Sequence, residues 1–320
     1  MNILKAEIKQ FVKAKLQLLR HARASFDSSN KVIILLYHRV LDNPGKNHLG
    51  TIVSTRRFKE QMKFLSKNFN VMNLEEAFED TSSRVKVVIT FDDGYVDNYM
   101  CAFPVLKQLD LPAHFFLATD YVSKNRPIWD WELKLLLDRS NNNVSININD
   151  IVFNRKNYGS DKKFLWDIIF SLKFLGPEER NFYFIEIKKQ LNINEINFDN
   201  DRCITWDEAR EMQSAGMHFG SHGCSHSSFA KLSKEILKKE IVESSNRLSN
   251  ELGTRTRHLA FPFGSKDDFD KKIIQEVLNH DYHRCLLNVA GYNISDKNPS
   301  SLKRKVITDD TNFKYLLGKN

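Results

Sequence analysis

The sequence predicts an α/β protein built on a parallel sheet, and three observations support this. The apolar runs Val32–Leu36, Val87–Phe91 and Phe115–Ala118 lack alternation, as strands covered on both faces do. Stretches of helical periodicity separate them, so strand and helix alternate along the chain. The length of 320 residues and 41% hydrophobic content are enough to build the core of one large domain or two small ones.

Residues 1–28 predict a basic amphipathic helix, with Leu4, Ile8, Phe11, Val12, Leu18 and Leu19 at helical spacing. Lys5, Lys9, Lys13, Lys15, Arg20 and Arg23 fill the other face, which suits either packing on the domain or peripheral membrane contact through residues 1–23. The same lysines interrupt any signal-type apolar core, and no apolar run reaches about 18 residues, so a cytoplasmic location is expected, including the inner face of the membrane. The first core strand ends in Tyr37-His38-Arg39. Helical periodicity follows at Phe58, Met62 and Leu65 and again at Leu74–Phe78, before the strand at Val87. A helix is expected through Ala102, Val105 and Leu109, then a strand from Phe115. From about 128 to 201 the pattern changes, with Trp129, Trp131, the run Asn141–Asn143 and helical spacing through Leu165–Leu172, and this reads as an insertion. Thr205, with Glu208 three residues on, predicts a capped helix. Further helices are expected at Ser233–Leu252 and Lys271–Asn279, with strands at His258–Phe261 and Arg284–Val289.

The 48 basic residues exceed the 40 acidic ones but are dispersed among them, and no nucleic-acid module is recognisable, so nucleic acid is not an expected partner. Cys101, Cys203, Cys224 and Cys285 are far apart and form no CxxC pair, which suits reduced thiols rather than a disulfide scaffold or a cysteine zinc site.

The strand at Val87 ends in Asp92-Asp93-Gly94, and parallel strands carry sites at their C-terminal ends. Adjacent residues of an extended segment point apart, so one carboxylate suits a cation and the other a proton. Asp-Asp-Gly is equally a common turn. His222 and His226, four apart, can converge on one ion, with Asp93 as the third ligand of a two-histidine, one-carboxylate set suited to zinc or a similar divalent metal. HxxxH pairs also occur by chance on solvated faces.

Taken together, Thr90-Phe91-Asp92-Asp93-Gly94-Tyr95, Ser221-His222-Gly223-Cys224-Ser225-His226 and Phe261-Pro262-Phe263-Gly264 resemble three motifs of the polysaccharide deacetylase family, also called carbohydrate esterase family 4 or the NodB homology domain. Supporting matches are Leu36-Tyr37-His38-Arg39-Val40, Asp97-Asn98-Tyr99, Pro112–Leu117 and Thr205-Trp206-Asp207, so the resemblance runs from about Ile33 to Val306. It implies that residues 29–320 form a distorted (β/α) barrel of NodB type with a helical insertion at about 128–201. The implied reaction is metal-dependent removal of an N-acetyl or N-formyl group from an amino sugar in surface-polysaccharide biosynthesis. The implied substrate is an acylated amino sugar, whether nucleotide-linked, lipid-linked or part of a glycan. Asp92 becomes the catalytic base, and Asp93, His222 and His226 the metal ligands. Two departures stand out. The arginine of the third motif is missing beside Pro262, and Arg284–Tyr292 lacks the histidine of the fifth motif, which usually supplies the general acid. His38 is the leading candidate for that acid and His114 a weaker one. An alternative is a catalytically inactive carbohydrate-binding protein that keeps the fold. Trp129 or Trp131 is expected to stack on sugar or to be core of the insertion.

Overall fold

The computed structural model describes residues 30–45, 49–82, 84–193, 196–297 and 299–317. The basic helix expected at 1–28 lies outside them. In chain order the elements are β1 (Lys31–Tyr37), β2 (Arg39–Leu41), β3 (Ile52–Ser54), α1 (Thr55–Asn68), β4 (Asn70–Val71), α2 (Leu74–Glu79) and β5 (Lys86–Phe91). A π-helical turn, Asn98–Ala102, leads into α3 (Phe103–Gln108), followed by β6 (His114–Leu117) and α4 (Trp129–Arg139). Next come β7 (Ser145–Ile148), β8 (Ile151–Asn154), α5 (Asp161–Leu172), α6 (Pro177–Leu191), α7 (Trp206–Ser214), β9 (His218–Ser221) and α8 (Lys234–Leu252). The chain continues through β10 (His258–Ala260), α9 (Lys271–Leu278), β11 (Arg284–Leu287), β12 (Asn293–Ile294), β13 (Ser301–Lys303), β14 (Lys305–Val306) and α10 (Phe313–Leu316).

Strands β1, β5, β6, β9, β10, β11 and β13 lie side by side, each parallel to its neighbour. β14 follows β13 after one residue and pairs in parallel with β1, which brings the two edges of the sheet together. The result is the distorted (β/α) barrel the sequence implies. Period-two alternation along each strand separates two cores. Val32, Ile34, Val88, Phe116, Ala260, Leu286 and Leu302 fill the lumen, with Leu74, Ala77 and Phe78 packed against them from α2. The intervening residues Ile33, Leu35, Val87, Ile89, Phe91 and Phe115 join a separate cluster with Phe58 and Met62 of α1, Leu106 of α3 and Met212 of α7.

The segment from Trp129 to Leu191 has its own core, in which Leu133, Leu136 and Leu137 meet Phe164, Ile168 and Ile169 of α5 and Phe184 and Ile187 of α6. The pairing of β7 with β8 and the whole of α6 are not visible in the sequence reading. Thr205 and Glu208 form the reciprocal capping box their spacing predicts.

Candidate active site

The chemical groups of the candidate site follow the C-terminal ends of barrel strands, where (β/α) barrels place their chemistry. His38 follows β1, Asp92 and Asp93 follow β5, His222 follows β9 and Phe263 follows β10. Together with Asp130, Trp131, Trp166 and Phe170 they line one cavity of about 290 Å³.

Asp93 Oδ1 lies 3.3 Å from both His222 Nε2 and His226 Nε2, and it has no hydrogen-bond partner although buried. His222 Nδ1 is 2.8 Å from the carbonyl of Ala260 and donates to it, leaving the Nε2 lone pair facing Asp93. Donors at zinc-ligand distances of 2.0–2.2 Å around a tetrahedral ion stand about 3.4 Å apart, so this orphaned trio fits a divalent cation. His226 Nδ1 lies 3.8 Å from Asp130 on α4. Burial alone would depress the His226 pKa, but the Asp130 and Asp93 carboxylates raise it above the ordinary value. Asp93 at φ 76° and His226 at φ 54° both occupy the left-handed region that non-glycine residues seldom adopt. The cost of such conformations concentrates at functional positions.

Asp92 continues the lumen face through Val88 and Thr90, and Asp93 diverges because the backbone turns left-handed after the strand has ended at Phe91. The opposed directions expected of the two carboxylates are therefore present, but they arise from a turn and not from strand alternation. Asp92 is 2% exposed and receives two parallel bonds of 2.6 Å from the Arg304 guanidinium. Burial pushes its pKa up, while Arg304 and His222 more than offset this and hold it below the usual carboxylate value. Sequence reading missed Arg304. It stands between β13 and β14, far from the third motif where an arginine was sought, and fills the same need.

His38 Nδ1 is buried without a partner at the cavity wall. Asn98 fixes the position by donating to the His38 carbonyl at 2.7 Å, and Arg39, fully buried, pairs with Asp97 at 2.8 Å and Asp201 at 2.6 Å. The matching segments at 36–40 and 97–99 thus interlock. Burial lowers the His38 pKa against the pull of Asp93 and Asp92. His114 is not in this cavity. It opens β6, at the other end of the barrel, where its Nε2 accepts the Leu74 N–H at 2.8 Å. A histidine at a strand's first residue faces the floor, which removes His114 as a candidate acid.

The loop carrying the two histidines is clamped from behind. Glu240 of α8 accepts the N–H groups of Cys224 at 2.6 Å and Ser225 at 3.0 Å. Trp129 donates its indole N–H to the His226 carbonyl at 2.9 Å. Trp129 is 2% exposed and does not line the cavity, so of its two expected roles it takes that of a core residue of the insertion. Trp131 does line it but is 3% exposed, with its N–H on Asp201. The aromatic surface open to the cavity comes instead from α5, where Phe170 is 50% exposed and Trp166 is partly so.

A barrel with a buried Asp-His-His trio and an arginine-paired carboxylate at its mouth is an arrangement that suits a polysaccharide deacetylase. The profile of that family, "Polysaccharide deacetylase", matches residues 79–284, well over half of the sequence, and the chain belongs to the polysaccharide deacetylase family. It is 32% identical over 110 residues to YxkH of Bacillus subtilis (strain 168), a protein assigned by name to the polysaccharide deacetylases. That match covers 32% of this chain and 38% of YxkH. Among solved structures it resembles the Streptococcus pyogenes deacetylase PplD in complex with acetate, at 18% identity and TM-score 0.59 over 90% of this chain and 97% of that one. It also resembles IcaB from Ammonifex degensii, at 19% identity and TM-score 0.58 over 91% and 97% of the two chains. At these identities the likeness is one of fold.

Proposed function

We propose that the protein is a metal-dependent hydrolase that removes the N-acetyl or N-formyl group from an amino sugar of a surface polysaccharide or its precursor. The observation that carries this reading is the convergence of Asp93, His222 and His226 beside an ionised, arginine-held Asp92 in one cavity. Asp93, His222 and His226 hold the divalent ion, zinc in the first instance. When bound, the ion polarises the amide carbonyl and acidifies water. Asp92 takes the proton of the attacking water as its oxygen bonds to the amide carbon. Arg304 keeps Asp92 ionised and fixes the direction of its oxygens. His38, whose burial favours the neutral ring, relays the proton taken up by Asp92 to the nitrogen as the C–N bond breaks, releasing a carboxylic acid and a free amine. Arg304 also weakens the case for an inactive carbohydrate-binding protein, which rested partly on a missing arginine.

Metal analysis of the purified full-length chain, paired with acid release from glycan, nucleotide-linked and lipid-linked acylated amino sugars, tests the reading. Metal-dependent release of acetate or formate is expected; absence of both stoichiometric metal and acid release overturns it. For location, we propose the cytoplasmic face of the membrane, with residues 1–23 as a peripheral contact. Flotation with anionic liposomes should retain the full chain and lose one lacking those residues, and equal weak binding by both refutes the contact.

A further inference from the structure

Arg180 of α6 is 4% exposed, yet among the described residues no carboxylate oxygen lies within 4.0 Å of it. Buried guanidinium groups ordinarily have an anionic partner, because an unpaired charge out of water is costly. Arg180 has only neutral ones. Its Nη1 donates to Ser227 Oγ at 2.6 Å and its Nη2 to the Ser225 carbonyl at 2.7 Å, with the Trp129 ring 5.0 Å from its charge centre. The Tyr121 hydroxyl is a further hydrogen-bond neighbour and the Glu240 and Asp130 carboxylates act from farther off, so the guanidinium, with five N–H donors, has no carboxylate in direct contact. Beside it opens a second cavity of about 280 Å³, lined also by Lys124, Arg126 and Asn181. Arg126 shares the single carboxylate Glu132 with Lys188, at 2.7 and 2.5 Å. Asp120, the only acidic residue lining the cavity, is already bonded to Arg247.

We propose that this cavity is an anion site for a phosphate-class oxyanion, distinct from the deacetylation cavity and backing onto the loop that carries His222 and His226. The ligand would supply the contacting anion that Arg180 lacks, with Lys124 and Arg126 closing on its outer oxygens by charge-assisted bonds. Because Arg180 holds Ser225 and Ser227, an occupant would brace the histidine loop from the side opposite the metal trio.

The test uses the full-length protein and inorganic phosphate, titrated against sodium chloride at equal ionic strength, with thermal unfolding and hydrogen exchange of residues 221–228 as readouts. A saturable rise in melting temperature and slower exchange of that loop are expected. The surface double variant Lys124→Gln, Arg126→Gln should weaken the apparent affinity by roughly tenfold or more, since it removes two charge-assisted partners of the anion. Arg180→Gln should abolish binding in the protein that folds. A rise no greater than with chloride, or one that survives in the double variant as a general salting effect, overturns the proposal. Co-sedimentation with phosphatidic acid vesicles that depends on Lys124 and Arg126 assigns the ligand to a lipid headgroup, and phosphate protection without it to a soluble phosphate ester. Neither readout involves deacetylation, so the site can fail while the proposed reaction stands, or the reverse.

Discussion

Arg304 and Asp92 are 212 positions apart in the chain and meet, both buried, through two bonds of 2.6 Å. A fork that holds both carboxylate oxygens cannot be replaced by a point charge, so Arg304→Lys is expected to lower kcat by roughly tenfold. It should also move the acidic limb of the kcat/KM profile to higher pH. The sign follows from Asp92: burial raises its pKa and Arg304 lowers it, so weakening Arg304 lets burial prevail and the base protonates at higher pH. An unmoved acidic limb would show that Asp92 is not the titrating base. Asp92→Asn should reduce turnover by roughly 10²–10⁴-fold with metal content unchanged, because Asp93 faces the histidines and Asp92 does not. Loss of metal in that variant would exchange the roles of the two aspartates. Asp92, Asp93, His222 and His226 were legible because each pair lies within a few residues and carries its chemistry in one short stretch. Arg304 was not, since nothing near Lys303 and Lys305 marks one basic residue in the run as lumen-facing.

At the scale of the element, α5 gives the cavity its aromatic wall. Trp166 and Phe170 are four residues apart on one helical face, with ring centroids 5.7 Å apart. Aromatic faces stack on the C–H surfaces of sugar rings. Trp166→Ala and Phe170→Ala should each raise KM for a glycan by about threefold to tenfold, the range of an aromatic contact, with kcat kept. A KM unchanged in both folded variants would remove α5 from substrate binding. The sequence marked the insertion and left its tryptophans as either sugar contacts or core, and the structure places both in the core of the insertion. Trp129 and Trp131 begin a helix whose packing faces inward, and only the docking of α4 and α5 on the barrel decides which aromatics face the cavity.

Across the whole molecule, the barrel's floor is a layer of histidines. His114, His218 and His258 open three neighbouring strands, with the rings of His114 and His218 stacked at 4.8 Å and His258 6.0 Å from His114. Burial lowers the pKa of both His114 and His218. The unfolded chain therefore takes up protons first as pH falls below about 6.5, and stability is lost from there down through the folded-state pKa values. The loss is up to about 1.4 kcal/mol per pH unit for each group over its window. His114→Gln keeps an acceptor for the Leu74 N–H and cannot titrate. Urea unfolding at pH 7.5 and 5 should show a flatter dependence in this variant, and an equal slope in both proteins would rule His114 out as a cause. The alternation of strand and helix was enough to read the sheet's direction from sequence. Closure was legible only through the family resemblance and not from the strand pattern, because β13 and β14 are three and two residues long and their pairing depends on where the rest of the sheet has curled.

The single residue between those two strands is Arg304, so the stitch that joins the barrel's edges also completes the base. For a ribosome making this chain, the consequence is one of timing. Asp92 is synthesised more than two hundred residues before its counter-ion, and every nascent intermediate carries an open sheet and an unpaired carboxylate. Activity should therefore appear all at once, after residue 306 has emerged, and proteolytic fragments ending before Arg304 should have lost the seam and the chemistry together.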